Sequence, residues 1–501
     1  MSKLFSISKN PDVNYLASIQ RIEKVDPIPN ADRLQKTTVN GYDMIISKDM
    51  KVGDIVLHFP VECCISEKFL SANNLYERAE FERNSNAEDV KVLIENAEKE
   101  TDPGKKTEIL NEVKGMCGFF NSKGRVRILK LRGEYSQGFV CGIDALLNVW
   151  PELNDPQYHF SPENFIGERF DTVMGDKICW KYVPEVKNVQ TSGSQSIWKK
   201  RMRTLKRFDR LVPGTFAFHY DTTMLGEHFK EIDPESIVTM TVKVHGTSGI
   251  FANIPVNRNL TVWEKVKKFL GMYVPLTEYG DVYSSRSIIK NEYINKNVKD
   301  GFYDSDIWGC VNKIVFPLLN KDMTVYGEIV GYLEGTSTYI QKNHDYGCKP
   351  GEWKFMPYRI TTICRPTSDG AKYEWNVEDV IDWTNKVMKE NPDVADNFMP
   401  MTLLYHGPMK DLYPNVPVDE NWHDNVLEML KTDAKPDDLG HKGFCMELRE
   451  PLCKNKVPRE GIVFRIDNDI RARAWKLKTK AHYGIEAMQH DEGEADIEET
   501  S

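Results

Sequence analysis

Ten cysteines are scattered through the 501 residues, and no two of them stand in a C-x-x-C arrangement. A zinc ribbon is therefore excluded, and with only one adjacent pair, Cys63 and Cys64, so is a disulfide framework. A reducing compartment is expected. No apolar run reaches the roughly twenty residues that a membrane-crossing helix needs, and the opening MSKLFSISKN lacks the apolar core of a signal peptide. The expectation is a soluble, intracellular protein with no membrane partner. Positive charge is not in excess either: a net charge of -9 argues against indiscriminate coating of nucleic acid. Internal repeats are absent, and the length exceeds one ordinary core, so several domains are expected.

The front of the chain alternates short apolar and polar runs from YLASIQRIEKV to GDIVLHFP, punctuated by Pro27, Pro29, Asn40-Gly41 and Gly53-Asp54. Asn-Gly between alternating runs is a hairpin signal, and several short strands at this spacing suggest a small barrel. Residues 77–115 change character, with dense Glu and Lys and with Val90, Leu93, Ile94 and Ala97 at helical spacing. They read as an inserted helical pair. Strands resume at GRVRILKLRGEYSQGFVCGI, and residues 145–213 are rich in Pro, Asn, Ser and Gly. Within that stretch NVQTSGSQS, 188–196, reads as a joint, and KKRMRTLKR, 199–207, carries six basic residues in nine. The boundaries that follow are a first domain at 1–185, a basic linker at 186–213, a second domain at 214–488, and an acidic, disordered tail at 489–501.

Inside the second domain, TVKVHGTSGIF at 241–251 sets Lys243 in a strand-like run that Gly246 interrupts. K-x-x-G alone is a weak signal, since it occurs three times, and a lysine at a strand end can simply lay its stem on apolar surface. Four later stretches add charge on a strand or beside a turn: SSRS at 284–287, VYGEIVG at 325–331, REGIVFRI at 459–466 and AWKLKTK at 474–480. In this order the five resemble the motif set of the covalent nucleotidyltransferases, the ATP-dependent ligases and capping enzymes. Lys-Val-His-Gly, with His245 where DNA ligases and capping enzymes usually carry Asp, looks like the RNA ligases, as does IQKN at 340–343. PIPNADRL, KVGDIV and RVRILKLRGEYSQG resemble the amino-terminal OB-like domain of the Deinococcus-type RNA ligases. The helical insertion and the length after residue 365 depart from that family.

The resemblance implies an α+β chain, an OB-like β-barrel followed by a nucleotidyltransferase domain of antiparallel sheets and helices. It implies an ATP-dependent RNA ligase with Mg²⁺ or Mn²⁺, a monomer that joins RNA 3′-hydroxyl and 5′-phosphate ends at nicks through a lysyl-AMP intermediate. By the same resemblance Lys243 is the nucleophile, with Arg286, Lys476 and Lys478 converging on it to hold phosphate oxygens and disfavour its ammonium form. Val242, His245 and Gly246 border the ATP, Glu328 takes the ribose hydroxyls, and Glu460 helps place the metal. Tyr358, with Phe355 as second choice, is the aromatic that stacks on adenine, although Arg359 stands where the family commonly has an acid. His219, His228 and Trp475 read as packing or surface. The rival readings are a DNA ligase, a capping guanylyltransferase that takes GTP, and an RNA-binding protein whose nucleotidyl site is dead.

Overall fold

The computed structural model describes residues 4–9, 11–183, 211–219, 222–290, 306–364, 371–431, 449–467 and 473–491. The joint at 188–196, the basic run at 199–207 and the acidic tail beyond residue 491 lie outside the described residues. Two compact units result, Met1–Val183 and Pro184–Ser501.

In the first unit, four antiparallel strands lie in the order Gly138–Gly142, Ile55–Pro60, Ala17–Arg21 and Arg169–Phe170. A second sheet pairs Asp26–Pro27, Leu34–Val39 and Tyr42–Ser47. Asn40 and Gly41 turn the last two strands at φ of 52° and 80°, the left-handed backbone that a two-residue hairpin requires and that Asn and Gly adopt at least cost. Ile19, Leu57, Phe59, Phe69, Phe139 and Phe170 fill the core beneath the first sheet. The charged insertion forms two helices, Ala87–Lys99 and Pro103–Gly115, which bury only Val90, Ala97 and Val113. Residues 145–183 of the Pro-rich stretch are more ordered than its composition suggests. Arg169–Phe170 extends the first sheet, and Cys179–Lys181 pairs with Cys63–Ile65. Strands of two and three residues are too short to show an alternating pattern.

Two five-stranded sheets organise the second unit. One runs in the order Thr223–Met224, Arg473–Lys478, Gly461–Ile466, Ile237–Lys243 and Leu403–Pro408, antiparallel except at its first, parallel pair. The other is antiparallel throughout, in the order Thr277–Ser284, Thr247–Asn257, Met323–Gly331, Trp353–Ile363 and Lys372–Glu374. The chain crosses between the sheets over just three residues, Val244, His245 and Gly246. Lys243 is thus the last residue of one sheet at the point of transfer to the other. Leu225, Phe229, Trp422, Leu430 and Phe464 pack in the first sheet's core, and Trp308, Val311, Val325, Phe355 and Val380 in the second's.

Residues 258–276 form an excursion from the end of a hairpin whose strands pair from Asn257↔Thr277 to Ile250↔Ser284. The pairing returns the chain to Arg286, which explains the 43-residue interval after Lys243. The excursion holds the helix Val262–Phe269, opened by a reciprocal Thr261–Glu264 capping box and tied by an Arg258–Glu264 ion pair at 2.8 Å. It buries no residue of its own.

Candidate active site

Three neighbouring strands place Lys243 opposite Gly461, and Gly461 opposite Lys478. Gly461 contributes no side chain to that row, and a Cβ there would run into the Leu477 carbonyl oxygen. Glu460, one residue earlier, therefore reaches both lysines. Its Oε1 lies 2.8 Å from Lys243 Nζ and 3.6 Å from Lys478 Nζ. Lys478 is also 2.5 Å from Glu486 Oε1, on the helix Lys480–Asp491, and His482 Nε2 is 3.2 Å from the same oxygen. His245 closes the group, with Nδ1 at 3.8 Å from Glu460 Oε2 and its ring centroid 4.7 Å from that of His482 and 4.9 Å from that of His344.

Burial alone would push the Glu460 carboxyl up, but Lys243 and Lys478 outweigh it and bring the group down to about 2. Glu486 is likewise held well below the usual carboxylate range, against its burial, by Lys478 and His482. Burial would discharge Lys478, yet Glu486 and Glu460 raise it well above an ordinary lysine. His245 is pushed well below the usual imidazole range by burial and by His482, so it is neutral at pH 7.

Beside this group lies a cleft of about 960 Å³, its mouth included. The first sheet supplies Thr241, Val242, Lys243, Val463, Arg465 and Lys476 to its walls; the second supplies Ser248, Glu328, Met356, Tyr358, Arg359 and Glu374. Arg286 and His219 also line it. Of the residues singled out from sequence, Lys243, Val242, Arg286, Glu328, Tyr358 and Lys476 come together in the cleft. His245, Gly246, Glu460 and Lys478 stand outside its lining.

Adjacent residues of a strand ordinarily face opposite ways, yet Tyr358 and Arg359 both line the cleft. A bulge is the reason: Tyr326 pairs with Arg359 and Gly327 with Pro357, which leaves Tyr358 as the extra residue. Arg359 is neutralised by Glu374 at 3.0 Å, a carboxylate from the neighbouring strand. The second choice for a stacking aromatic, Phe355, is fully buried in the hydrophobic core, edge-on to Phe251 at 5.1 Å, and does not reach the cleft. His219 was legible only as packing or surface; it lines the cleft with its ring 5.2 Å from Tyr358. Trp475 is buried in the first sheet's core.

The turn after Lys243 is braced from the IQKN stretch, where Gln341 Nε2 donates to the Gly246 carbonyl at 2.8 Å, and the His245 N–H donates to Tyr346 Oη at 2.6 Å. Gly246 is required by close approach and not by a left-handed turn. A Cβ there would meet the Ile329 carbonyl oxygen and lie 2.7 Å from Glu328 Cγ. Gly246→Ala is accordingly expected to cost about 1–3 kcal/mol, the usual range for overpacking, and to displace Glu328. Thermal unfolding and nucleotide titration of the variant check both effects, and unchanged nucleotide affinity would separate Gly246 from the cleft.

In chemistry, the cleft fits a nucleotide: apolar walls and Tyr358 suit a base, Glu328 a hydroxyl pair, and Lys243, Arg286 and Lys476 suit phosphate oxygens. Glu460 Oε2, buried and without a hydrogen-bond partner, suits a cation.

Residues 16–92 match a family model described as an OB-fold domain. The first unit carries an OB-fold domain, as the resemblance of PIPNADRL and KVGDIV implies. No curated protein sequence matches the chain. Among solved structures, a mutant of the Naegleria gruberi RNA ligase with AMP and Mn is similar at 15% identity and a TM-score of 0.48, over 94% of this chain and 98% of that one. The same ligase with PPi aligns at 16% identity and a TM-score of 0.47, again over 94% and 98%. A further mutant with ATP and Mn gives 15% and 0.47 at the same coverage. No described helix is long and apolar enough to cross a membrane.

Proposed function

We propose that this chain is an ATP-dependent RNA ligase that works through a covalent lysyl-AMP. One observation carries the reading: a strand-end lysine, Lys243, shares a cleft with Arg286, Glu328, Tyr358 and Lys476, drawn from separate motifs in ligase order. Lys243 Nζ attacks the α-phosphorus of ATP, a P–N bond forms, and the bond to pyrophosphate breaks. An oxygen of the RNA 5′-phosphate then takes the AMP and frees the lysine. Finally a 3′-hydroxyl attacks the 5′-phosphorus and AMP leaves. Each step spreads negative charge over phosphate oxygens, so fixed cations facing the cleft are the main catalytic asset. Arg286 and Lys476 supply them, Glu328 holds the ribose hydroxyls, and Tyr358 stacks on the base.

Before it can attack, Lys243 must leave Glu460, to which it is paired at 2.8 Å. A divalent cation supplies neutralisation of the phosphates when bound, and Glu460 is the side chain that would help hold it. The OB-fold domain engages the RNA strand bearing the 3′-hydroxyl at a nick, where contacts to the 2′-hydroxyl favour RNA. The chain acts as a monomer inside the cell, on broken RNA in need of repair.

Incubation with α-labelled ATP and Mg²⁺, followed by a denaturing gel, tests the reading. A protein-bound label from ATP and not from GTP is expected. Label from GTP alone would make the chain a capping-type guanylyltransferase, and sealing of DNA nicks in preference to RNA would make it a DNA ligase. Absence of label with either nucleotide would leave an RNA-binding protein with a dead site.

A further inference from the structure

Behind Lys243, three side chains from three separate parts of the chain converge out of contact with solvent. His245 is 5% exposed, Glu460 3% and His482 0%, and one ligand atom from each lies within 4.8 Å of the others. Buried polar atoms are nearly always hydrogen-bonded. Here Glu460 Oε2 and His482 Nδ1 have no partner. The other nitrogen of His482, Nε2, faces two carboxylates, 3.2 Å from Glu486 Oε1 and 3.8 Å from Glu460 Oε1, the latter a separation that one ion bound to both atoms would span. His245 brings Nδ1 to 3.8 Å from the unpartnered Glu460 Oε2.

We infer that His245, Glu460 and His482 form a protein-borne site for a divalent transition-metal ion, filled without any nucleotide. Two imidazole nitrogens and one carboxylate oxygen suit Zn²⁺ or Co²⁺, whereas Mg²⁺ prefers oxygen and keeps its waters. Three protein ligands leave positions open for water or a phosphate oxygen. The inference deepens the proposed function by naming the ligands and the ion class at Glu460, but the site stands whether or not the chain is a ligase.

Occupancy has a geometric consequence. Without the ion, two carboxylates, Glu460 and Glu486, balance two ammonium groups, Lys243 and Lys478. A dication adds an excess of positive charge, most simply relieved when Lys243 gives up Glu460 and extends into the cleft it already lines. Metal binding thereby releases the nucleophile.

The test uses the full chain, stripped with EDTA and titrated with Co²⁺, then with Zn²⁺, in millimolar Mg²⁺ and without nucleotide. One equivalent of Co²⁺ with visible ligand-field bands, displaced by Zn²⁺, is expected, and His482→Gln should weaken binding by at least about tenfold. If His482→Gln does not fold, Glu460→Gln, which keeps the side chain's volume, decides the matter by the same measure. Absence of bands, or binding unchanged in the folded variants, overturns the site. Labelling by ATP is scored in parallel: loss of label with Co²⁺ binding intact sinks the ligase reading alone, and label without Co²⁺ binding sinks the metal site alone.

Discussion

Lys243→Ala is expected to abolish transfer of AMP from ATP to the protein while sparing the sealing of RNA supplied already adenylated at its 5′ end. The loss should be at least about a thousandfold, the scale on which removal of a covalent nucleophile acts. Among the described residues, neither lysine nearest to it is placed to substitute. Lys478 is occupied with Glu460 and Glu486, and Lys476 lies across the first sheet opposite Val463. The fold should survive the change. Lys243 is partly exposed, and once it is gone Glu460 keeps Lys478 at 3.6 Å as a counter-charge. A denaturing gel with labelled ATP and a ligation assay on adenylated RNA read the two activities side by side. Loss of both, with circular dichroism unchanged, would show that Lys243 does more than carry AMP, because the last step needs only the cations and the 3′-hydroxyl.

What was legible beforehand follows from how far apart the informative residues are. The Asn40-Gly41 hairpin is encoded within four residues, and the charged helices at 77–115 announce themselves by local spacing. Lys243, Arg286, Glu328 and Lys476 were recognisable because each sits in a short motif and the motifs keep their order. The second layer had no such signal. Glu486 and His482 lie on a helix more than two hundred residues from Lys243, and only the alignment of Lys243, Gly461 and Lys478 on adjacent strands brings them near it. The family resemblance implies that Lys478 converges on Lys243 beside Lys476 and holds phosphate oxygens. In the structure it shares Glu460 with Lys243, pairs with Glu486 and stands outside the cleft lining. Tyr358 and Arg359 share the cleft through a bulge, which no period-2 pattern can reveal.

The same blindness to distance hides a buried ion pair of the first unit. Arg125 donates from Nε to Glu62 Oε2 at 2.9 Å and from Nη2 to Glu62 Oε1 at 2.7 Å, with side chains only 2% and 9% exposed. Tyr182 lies over the guanidinium, 4.8 Å from its ring centroid. Arg125→Met removes the fork and leaves a desolvated carboxylate, which typically costs about 3–5 kcal/mol. For a unit of this size that corresponds to a fall of roughly 10 °C in its melting transition, measurable by calorimetry on the full chain. Adding Glu62→Met should recover most of the loss, because two apolar side chains of similar volume remove the uncompensated charge. Failure of the double variant to recover would mean that the pair sets the local backbone, where Glu62 sits at a φ of 66°, and does not merely neutralise itself. An arginine in a domain proposed to grip RNA invites a phosphate-binding role, but this one is sealed against its own carboxylate. At temperatures where Arg125→Met remains folded, RNA affinity and its salt dependence should therefore match the parent. A lower salt slope would assign the guanidinium to a phosphate after all.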